Sequence, residues 1–375
     1  MTLRTIKIAG LALVLSALAS AAAGGTWPYD GTGSQWTKPT DGSPPDRTQW
    51  IDFLRKSAAH GDNEALVNLA SALEQGYPPE TPDIAAALQL YEKAADQNDR
   101  YGRERMCVAY LLGEGRPADM AKAMGYCNKL PDTDPAGLFS AAFDYDHGIS
   151  GPKDTDGAMA FYTQAIKAGS GEAMDAIGEK ALAASNPSGA RKWFRQAAAA
   201  GSADGMVHLA ALLETGQGGD IDPDEAYWLY ANADRRGNAT ATAWLAAQPA
   251  PHSPLDRVDI TDGKTSLISQ TISDAQGTRT VPFDIYALGQ AMANYYPPNA
   301  VAANMEASVE MHCYIDGGNK IDLCLLEREY PVGYGFGALV LALYNGNLSV
   351  PAVNAKGEPT ARKVVAFNYH WSLSH

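Results

Sequence analysis

The one reaction that side chains of this sequence can carry out on each other is thiol oxidation, by cysteines at 107, 127, 313 and 324. Two of them lie in Met311-His-Cys-Tyr-Ile-Asp-Gly-Gly-Asn-Lys-Ile-Asp-Leu-Cys-Leu-Leu326, where apolar residues alternate at Val309, Met311, Cys313 and Ile315. A period of two puts one set of side chains on one sheet face, and Asp316-Gly-Gly-Asn319 supplies a turn. With Gly318 and Asn319 at the tip of a β-hairpin, Cys313 falls opposite Cys324 and Met311 opposite Leu326. Directly opposed residues at a non-hydrogen-bonded position lie about 4.5 Å apart at Cα, inside the range a disulfide bridges. A cross-strand disulfide Cys313–Cys324 is therefore expected, the alternative being two small buried core thiols. The same register leaves Ile321, Leu323 and Leu325 on the opposite face, which must be covered or bind something.

Other chemistry lacks its residues. Asp262-Gly-Lys-Thr265 ends like a phosphate-binding loop, but the opening glycine would stand at Val258. Asp220-Ile-Asp-Pro-Asp224 begins like a calcium loop, yet Glu225 stands where that loop needs Gly and Ala231 where it needs Glu. Gly333-Tyr-Gly-Phe-Gly337 lacks dinucleotide spacing, the histidines share no i, i+4 pair, and no Gly-x-Ser-x-Gly elbow is present. The expectation is a non-enzymatic protein without catalytic, metal or cofactor-binding residues.

The elements that position the cysteines begin with a repeat from Trp50 to Gln248. A helical phrase recurs as Ala87-Leu-Gln-Leu-Tyr-Glu-Lys-Ala-Ala95, Ala158-Met-Ala-Phe-Tyr-Thr-Gln-Ala165, Ala190-Arg-Lys-Trp-Phe-Arg-Gln-Ala-Ala198 and Ala226-Tyr-Trp-Leu-Tyr-Ala-Asn-Ala233, with a divergent copy at Ala123-Met-Gly-Tyr-Cys-Asn128. The leading alanines are 36, 35, 32 and 36 residues apart, one helix-pair unit each. Asp83, Asp119, Asp154 and Asp222 suit helix N-caps, and Gly169, Gly201 and Gly237 suit helix ends at positive φ. The preceding helix reads Ala65-Leu-Val-Asn-Leu-Ala-Ser-Ala-Leu-Glu-Gln-Gly76 and again Gly205-Met-Val-His-Leu-Ala-Ala-Leu-Leu-Glu-Thr-Gly216. These phrases resemble Sel1-like repeats, cousins of tetratricopeptide repeats. That resemblance implies an α-solenoid over 50–248 that grips a peptide or protein. Trp193, Trp228, Tyr91 and Tyr162 read as packing residues. In the second copy Cys107 and Cys127 replace a small and an aromatic residue on facing helices, so a disulfide between them competes evenly with two buried thiols.

After the hairpin come Tyr330-Pro-Val-Gly-Tyr-Gly-Phe-Gly337, a short helix Ala338-Leu-Val-Leu-Ala-Leu-Tyr344 and an aromatic strand Lys363-Val-Val-Ala-Phe-Asn-Tyr-His-Trp-Ser-Leu373. With Tyr296-Pro297 ahead, and Pro351 and Gly357-Glu-Pro359 between helix and last strand, residues 296–375 resemble the C-terminal domain of the TonB energy-transducer family, in a cysteine-containing branch. The fold class expected is thus mainly α: a Sel1-like solenoid, a linker and unassigned segment at 249–295, then a small α+β domain of three antiparallel strands and a helix. The TonB resemblance implies strand addition by an outer-membrane transporter's extended peptide along the sheet edge, with Met311, Tyr314, Val364, Phe367, Tyr369 and Trp371 as candidate edge residues.

Composition and the first residues set the address. A formal net charge of −14 repels phosphate backbones and anionic lipid, which excludes nucleic-acid partners. A mean hydropathy of −0.24 fits a soluble globular chain. Met1-Thr-Leu-Arg-Thr-Ile-Lys7, the apolar run Ile8 to Ala19 and small residues through Ala23 read as a signal peptide over 1–23, followed by a flexible lead-in over 24–49. The competing reading is an uncleaved inner-membrane anchor. A periplasmic envelope adaptor, a membrane-anchored transducer and a pure repeat scaffold all follow from this organisation, while a hydrolase or inhibitor would need a site in 255–294. Mass spectrometry of the protein from its native envelope is expected to find a mature terminus near Ala22 or Gly24 in the soluble periplasmic fraction; an intact Met1 in the inner membrane would select the anchored form.

Overall fold

The computed structural model describes residues 47–76, 81–248, 256–260, 269–274, 277–282, 307–330, 336–344 and 348–371. The proposed signal peptide, most of the lead-in and most of the unassigned segment lie outside these residues. Helix α1 (Arg47–Ala59) precedes five helix pairs: α2 (Asn63–Gln75) with α3 (Ile84–Asp96), α4 (Arg100–Leu112) with α5 (Met120–Cys127), α6 (Pro135–His147) with α7 (Thr155–Lys167), α8 (Gly171–Ala183) with α9 (Pro187–Ala199), and α10 (Ala203–Thr215) with α11 (Pro223–Arg235). Helix α12 (Ala239–Ala246) ends the series.

Local chemistry starts and stops the helices of the repeats. Asp83, Asp119, Asp154 and Asp222 are N-caps as expected, each accepting a hydrogen bond from a backbone N–H in the first turn. The chain turns at Gly169, Gly201 and Gly237 with φ of 95°, 95° and 81°, a region costly for any residue with a Cβ.

Packing inside the repeats follows one rule. The residue four places after each leading alanine is buried: Tyr91, Cys127, Tyr162, Phe194 and Tyr230. A buried phenol needs a partner, and each of the three tyrosines donates to a carboxylate on the preceding helix: Tyr91 to Glu74 (3.0 Å), Tyr162 to Asp146 (3.3 Å) and Tyr230 to Glu214 (3.1 Å). The two copies without a hydroxyl solve the position otherwise. Phe194 lies over Gly178, where a Cβ would come within 2.4 Å of Phe194 Cε1, and Cys127 is bonded to Cys107. The core residue of the fourth copy is thus Phe194, while Trp193 beside it is only half-buried. Polar contacts one unit apart then tie repeat to repeat, including Arg100–Asp134 (2.9 Å), Arg195–Glu225 (2.8 Å) and Asn238 to Asp204 (2.6 Å). The series winds far enough that a Cβ at Gly237 would lie 3.0 Å from Ile84 Cγ1 and 3.3 Å from the Gly115 nitrogen.

The C-terminal part contains β1 (Ser269–Asp274), β2 (Gly277–Pro282), β3 (Ala307–Ile315), β4 (Lys320–Tyr330), helix α13 (Phe336–Tyr344), β5 (Leu348–Ser349) and β6 (Lys363–Trp371). They form one antiparallel sheet in the order β2-β1-β5-β4-β3-β6. The strand, strand, helix, strand succession is present, but the sheet is wider than the expected three strands. Two of the additional strands come from the unassigned segment at 249–295, and β5 is only two residues long. Cys313 pairs with Cys324 and Met311 with Leu326, and the Cys313–Cys324 disulfide forms. A register shift between Tyr314 and Ile315 pairs Ile315 with Ile321. That shift corrects the facing of Ile321, which joins the cluster of Met311 and Cys313, while Leu323 and Leu325 stay on the other face.

Two substitutions of opposite sign test this packing. Gly178→Ala should cost about 1–3 kcal/mol by overpacking against Phe194. Gly125→Ala, in α5 with nothing within 4 Å of the new Cβ, should stabilise by about 0.5–1 kcal/mol through helix propensity. Denaturant titration of both variants reads the two signs directly.

Candidate interaction site at the junction of array and sheet

The hairpin strands are apolar on both faces because both are covered. One face, with Val309, Met311, Cys313 and Ile315, packs on Phe336, Val340 and Tyr344 of α13. The other, with Tyr314, Leu323, Leu325 and Val364, joins the core of the last repeats. Tyr314 stacks on Trp228 with ring centroids 5.9 Å apart. The apolar face left over by the hairpin register is therefore covered by the chain's own array.

Charged groups frame this contact. Tyr314 donates to Asp222 Oδ1 at 3.0 Å, and Arg362 Nη1 reaches both Asp222 Oδ1 (3.1 Å) and Asp224 Oδ2 (3.2 Å). Arg195 holds Glu225 with both terminal nitrogens, at 2.8 and 3.2 Å, and also bonds Asp322 on β4. Burial pushes Glu225 up to about 7, with Arg195 opposing that shift. Arg236 donates to the Leu326 carbonyl at 3.0 Å. Asp222 thus works twice, capping α11 through one oxygen that also receives Tyr314 and Arg362.

A second network runs Arg235–Glu327–His312–Glu310. Arg235 Nη2 lies 2.6 Å from Glu327 Oε1, His312 Nδ1 lies 3.2 Å from the same oxygen, and His312 Nε2 lies 3.1 Å from Glu310 Oε1. A neutral imidazole has one N–H and an ionised carboxylate only accepts. Holding both carboxylates therefore takes the doubly protonated ring. Burial works against that charge, but hydrogen bonds to Glu310 and Glu327 outweigh it and hold His312 above its ordinary value, with Arg257 opposing. Burial likewise disfavours the Glu327 carboxylate, yet His312 and Arg235 hold it well below the usual carboxylate range.

The candidate edge residues separate into three groups. Met311 and Tyr314 lie on β3, flanked by β4 and β6, so neither is on an edge, because the last strand adds beside the first strand of the hairpin. Val364 is on the edge strand β6, but its outward main-chain groups are taken: Val258 N donates to its carbonyl and its N–H donates to Asp256 O. Phe367 and Tyr369 are also on β6, with side chains turned to the α13 side, where the Tyr369 hydroxyl bonds that of Tyr344. Trp371 ends β6 opposite Ala307. Since the main-chain N–H and carbonyl of Val364 face the outer edge, the strand period of two turns the main-chain groups of Ala366, Asn368 and His370 to the same edge. The residues that sequence reading missed are the framing ones, Arg195, Arg235, Glu327, His312 and Arg362. Only the uncovered face of the hairpin hinted at them. Among the described residues no group of three or more His, Cys, Asp or Glu side chains is placed to hold a metal, and no helix is long and apolar enough to cross a membrane.

The sign of each shift sets a pH response. His312 has a folded value above 6.5, so its contribution is fully present below pH 6.5 and is lost as pH rises through the folded value. Glu327, held below 4.5, contributes above pH 4.5 and loses that contribution as pH falls through its folded value. Urea titrations between roughly pH 6 and pH 9 should show stability declining on the alkaline side in the wild type and a flatter limb in His312→Gln. Equal slopes would mean that His312 is already neutral.

Five stretches, residues 63–99, 101–130, 136–170, 178–202 and 203–238, match the Sel1 repeat family model, one for each helix pair. Solved structures similar to this chain include a protective antigen of uropathogenic Escherichia coli with an SLR fold (24% identity, covering 53% of this chain and 44% of that one, TM-score 0.31). Two others are a Sel1 repeat protein from Oxalobacter formigenes (22%, 54% and 60%, TM-score 0.31) and an immunity protein from Pseudomonas aeruginosa (17%, 68% and 92%, TM-score 0.31). The chain thus spans less than two thirds of the first two structures it matches. No curated protein matches it. The family match falls in phase with the helix pairs and their caps, and residues 63–238 are therefore an array of Sel1 repeats.

Proposed function

We propose that this protein is a non-enzymatic interaction protein of a Gram-negative cell envelope, exported to the periplasm, in which the Sel1 array binds a protein partner. The observation that carries the reading is the array itself: five helix-pair units in phase present a long surface of the kind that serves recognition. The basic, then apolar, then small-residue order of the first 23 residues supports export.

The C-terminal sheet adds a finer reading. Its strand, strand, helix, strand order and aromatic edge strand β6 support a TonB-like role in which an extended peptide of an outer-membrane transporter pairs with the edge at Ala366, Asn368 and His370. In that role an uncleaved N-terminal anchor would make the protein an energy transducer, and cleavage would make it an adaptor. A pure scaffold would use the array alone.

Site-specific photocrosslinking in the native envelope separates these readings. A crosslinker at Asn368 reports the sheet edge, and one at Met159, which is exposed on α7, reports the array. The strand-addition reading expects an outer-membrane transporter at Asn368. Adducts at Met159 alone would leave the scaffold, and no adduct at either position would overturn the interaction reading.

A further inference from the structure

Four of the five repeats close on an aromatic ring. The eighth residue of their first helix is small and buried, at Ala70, Ala142, Gly178 and Ala210. The ring comes from the second helix, as Tyr91, Tyr162, Phe194 and Tyr230. The second repeat puts Cys107 and Cys127 at these two places and so has no ring there. Leu111 also stands where Glu74, Asp146 and Glu214 receive phenols, so a tyrosine in this copy would lack its acceptor. The second helix of this repeat is weak in other ways. Helix α5 has eight residues against thirteen in α3, α7, α9 and α11, and its buried residues are Ala123 and Cys127. Gly125 in its middle lowers its helix propensity with no neighbour to require a glycine. A helix this short does not hold itself in water.

We propose that oxidation of Cys107 and Cys127 is the step that completes the array: the bond replaces the missing ring, and α5 takes its place between the first and third repeats only where these two thiols are oxidised. The chemistry is thiol–disulfide exchange with a protein or small-molecule disulfide. One cysteine thiolate attacks that disulfide and displaces a thiol; the other cysteine then attacks the mixed disulfide and displaces the second, so the two electrons and two protons leave with the oxidant as two thiols. Both cysteines are buried once α5 is in place, so the exchange takes place while α5 is still open. The hairpin bond differs in this respect. Cys313 and Cys324 sit in strands of nine and eleven residues whose neighbours Met311, Tyr314, Leu323 and Leu325 are buried on both faces, so the hairpin has a core without its disulfide. The dependence of α5 on its bond holds whatever partner the array binds, and an exported chain reaches a compartment where thiols oxidise.

Native-state trypsin digestion of the full chain tests this, because cleavage of a folded protein tracks the population of the open segment. The Lys122–Ala123 bond reports α5, with Ala123 fully buried, and Lys93 in α3 and Lys192 in α9 report the neighbouring units. In Cys107→Ala with Cys127→Ala, cleavage after Lys122 should rise about thirtyfold over the oxidised wild type, the lower end of what a disulfide contributes, with Lys93 and Lys192 unchanged. Wild type refolded with dithiothreitol present, so that the bond never forms, should match it. Cys107→Gly with Cys127→Phe copies the fourth repeat's solution of a ring over a glycine, and should keep Lys122 protected with or without the dithiol. Three results would each overturn the proposal: Lys122 as protected in the alanine pair as in the wild type, Lys93 and Lys192 cleaved along with it, or the Gly/Phe pair cleaved like the alanine pair.

Discussion

The structure depends on the burial of one sheet face against the helical array. The central strands β3 and β4 carry apolar side chains on both sides, and α13 covers only one of them. The remaining face holds Tyr314, Leu323 and Leu325, too much apolar surface to leave in water. The last two repeats cover it, with Trp228 stacked on Tyr314 and Asp222 satisfying the phenol. This contact sets the position of the sheet, decides which edge stays accessible, and draws the buried charges of both modules together.

The array shows how a repeat tolerates substitution when the exchange is matched. Where the repeated position holds a tyrosine, a carboxylate waits on the preceding helix; where it holds phenylalanine, that site is Gly178; where it holds Cys127, the partner is Cys107. Hydrogen bond, ring packing and covalent bond thus occupy one structural slot. Each leaves the residue in the slot with a packing or bonding partner, which is why helix pairs with different side chains stack in the same way.

The same bookkeeping explains the ion networks at the seam. Glu327 and His312 are deeply buried, and each is tolerated because it is paired on more than one side, with Arg235, Glu310 and each other. Removing any member leaves a buried charge exposed to an apolar surrounding, so the network favours one docking geometry over others that would bury nearly as much apolar surface.

What depends on neighbours along the chain is legible in the order of residues alone. Repeat phase, the caps at Asp83, Asp119, Asp154 and Asp222, the glycine turns and the Cys313–Cys324 register all follow from short-range sterics and hydrogen bonding. The Cys107–Cys127 bond was one of two open readings, because it needs two helices to face each other, and the structure chose it. Long-range packing, in contrast, makes β3 central, widens the sheet with β1, β2 and β5, turns Ile321 to the other face at a bulge, and brings Arg195, Arg235 and Arg362 to carboxylates up to 140 residues away. Those outcomes depend on which surfaces meet, and an isolated arginine on a helix looks the same in sequence whether it faces solvent or a distant strand. The hairpin did announce that one of its faces needed a cover; the identity of that cover is a property of the folded chain.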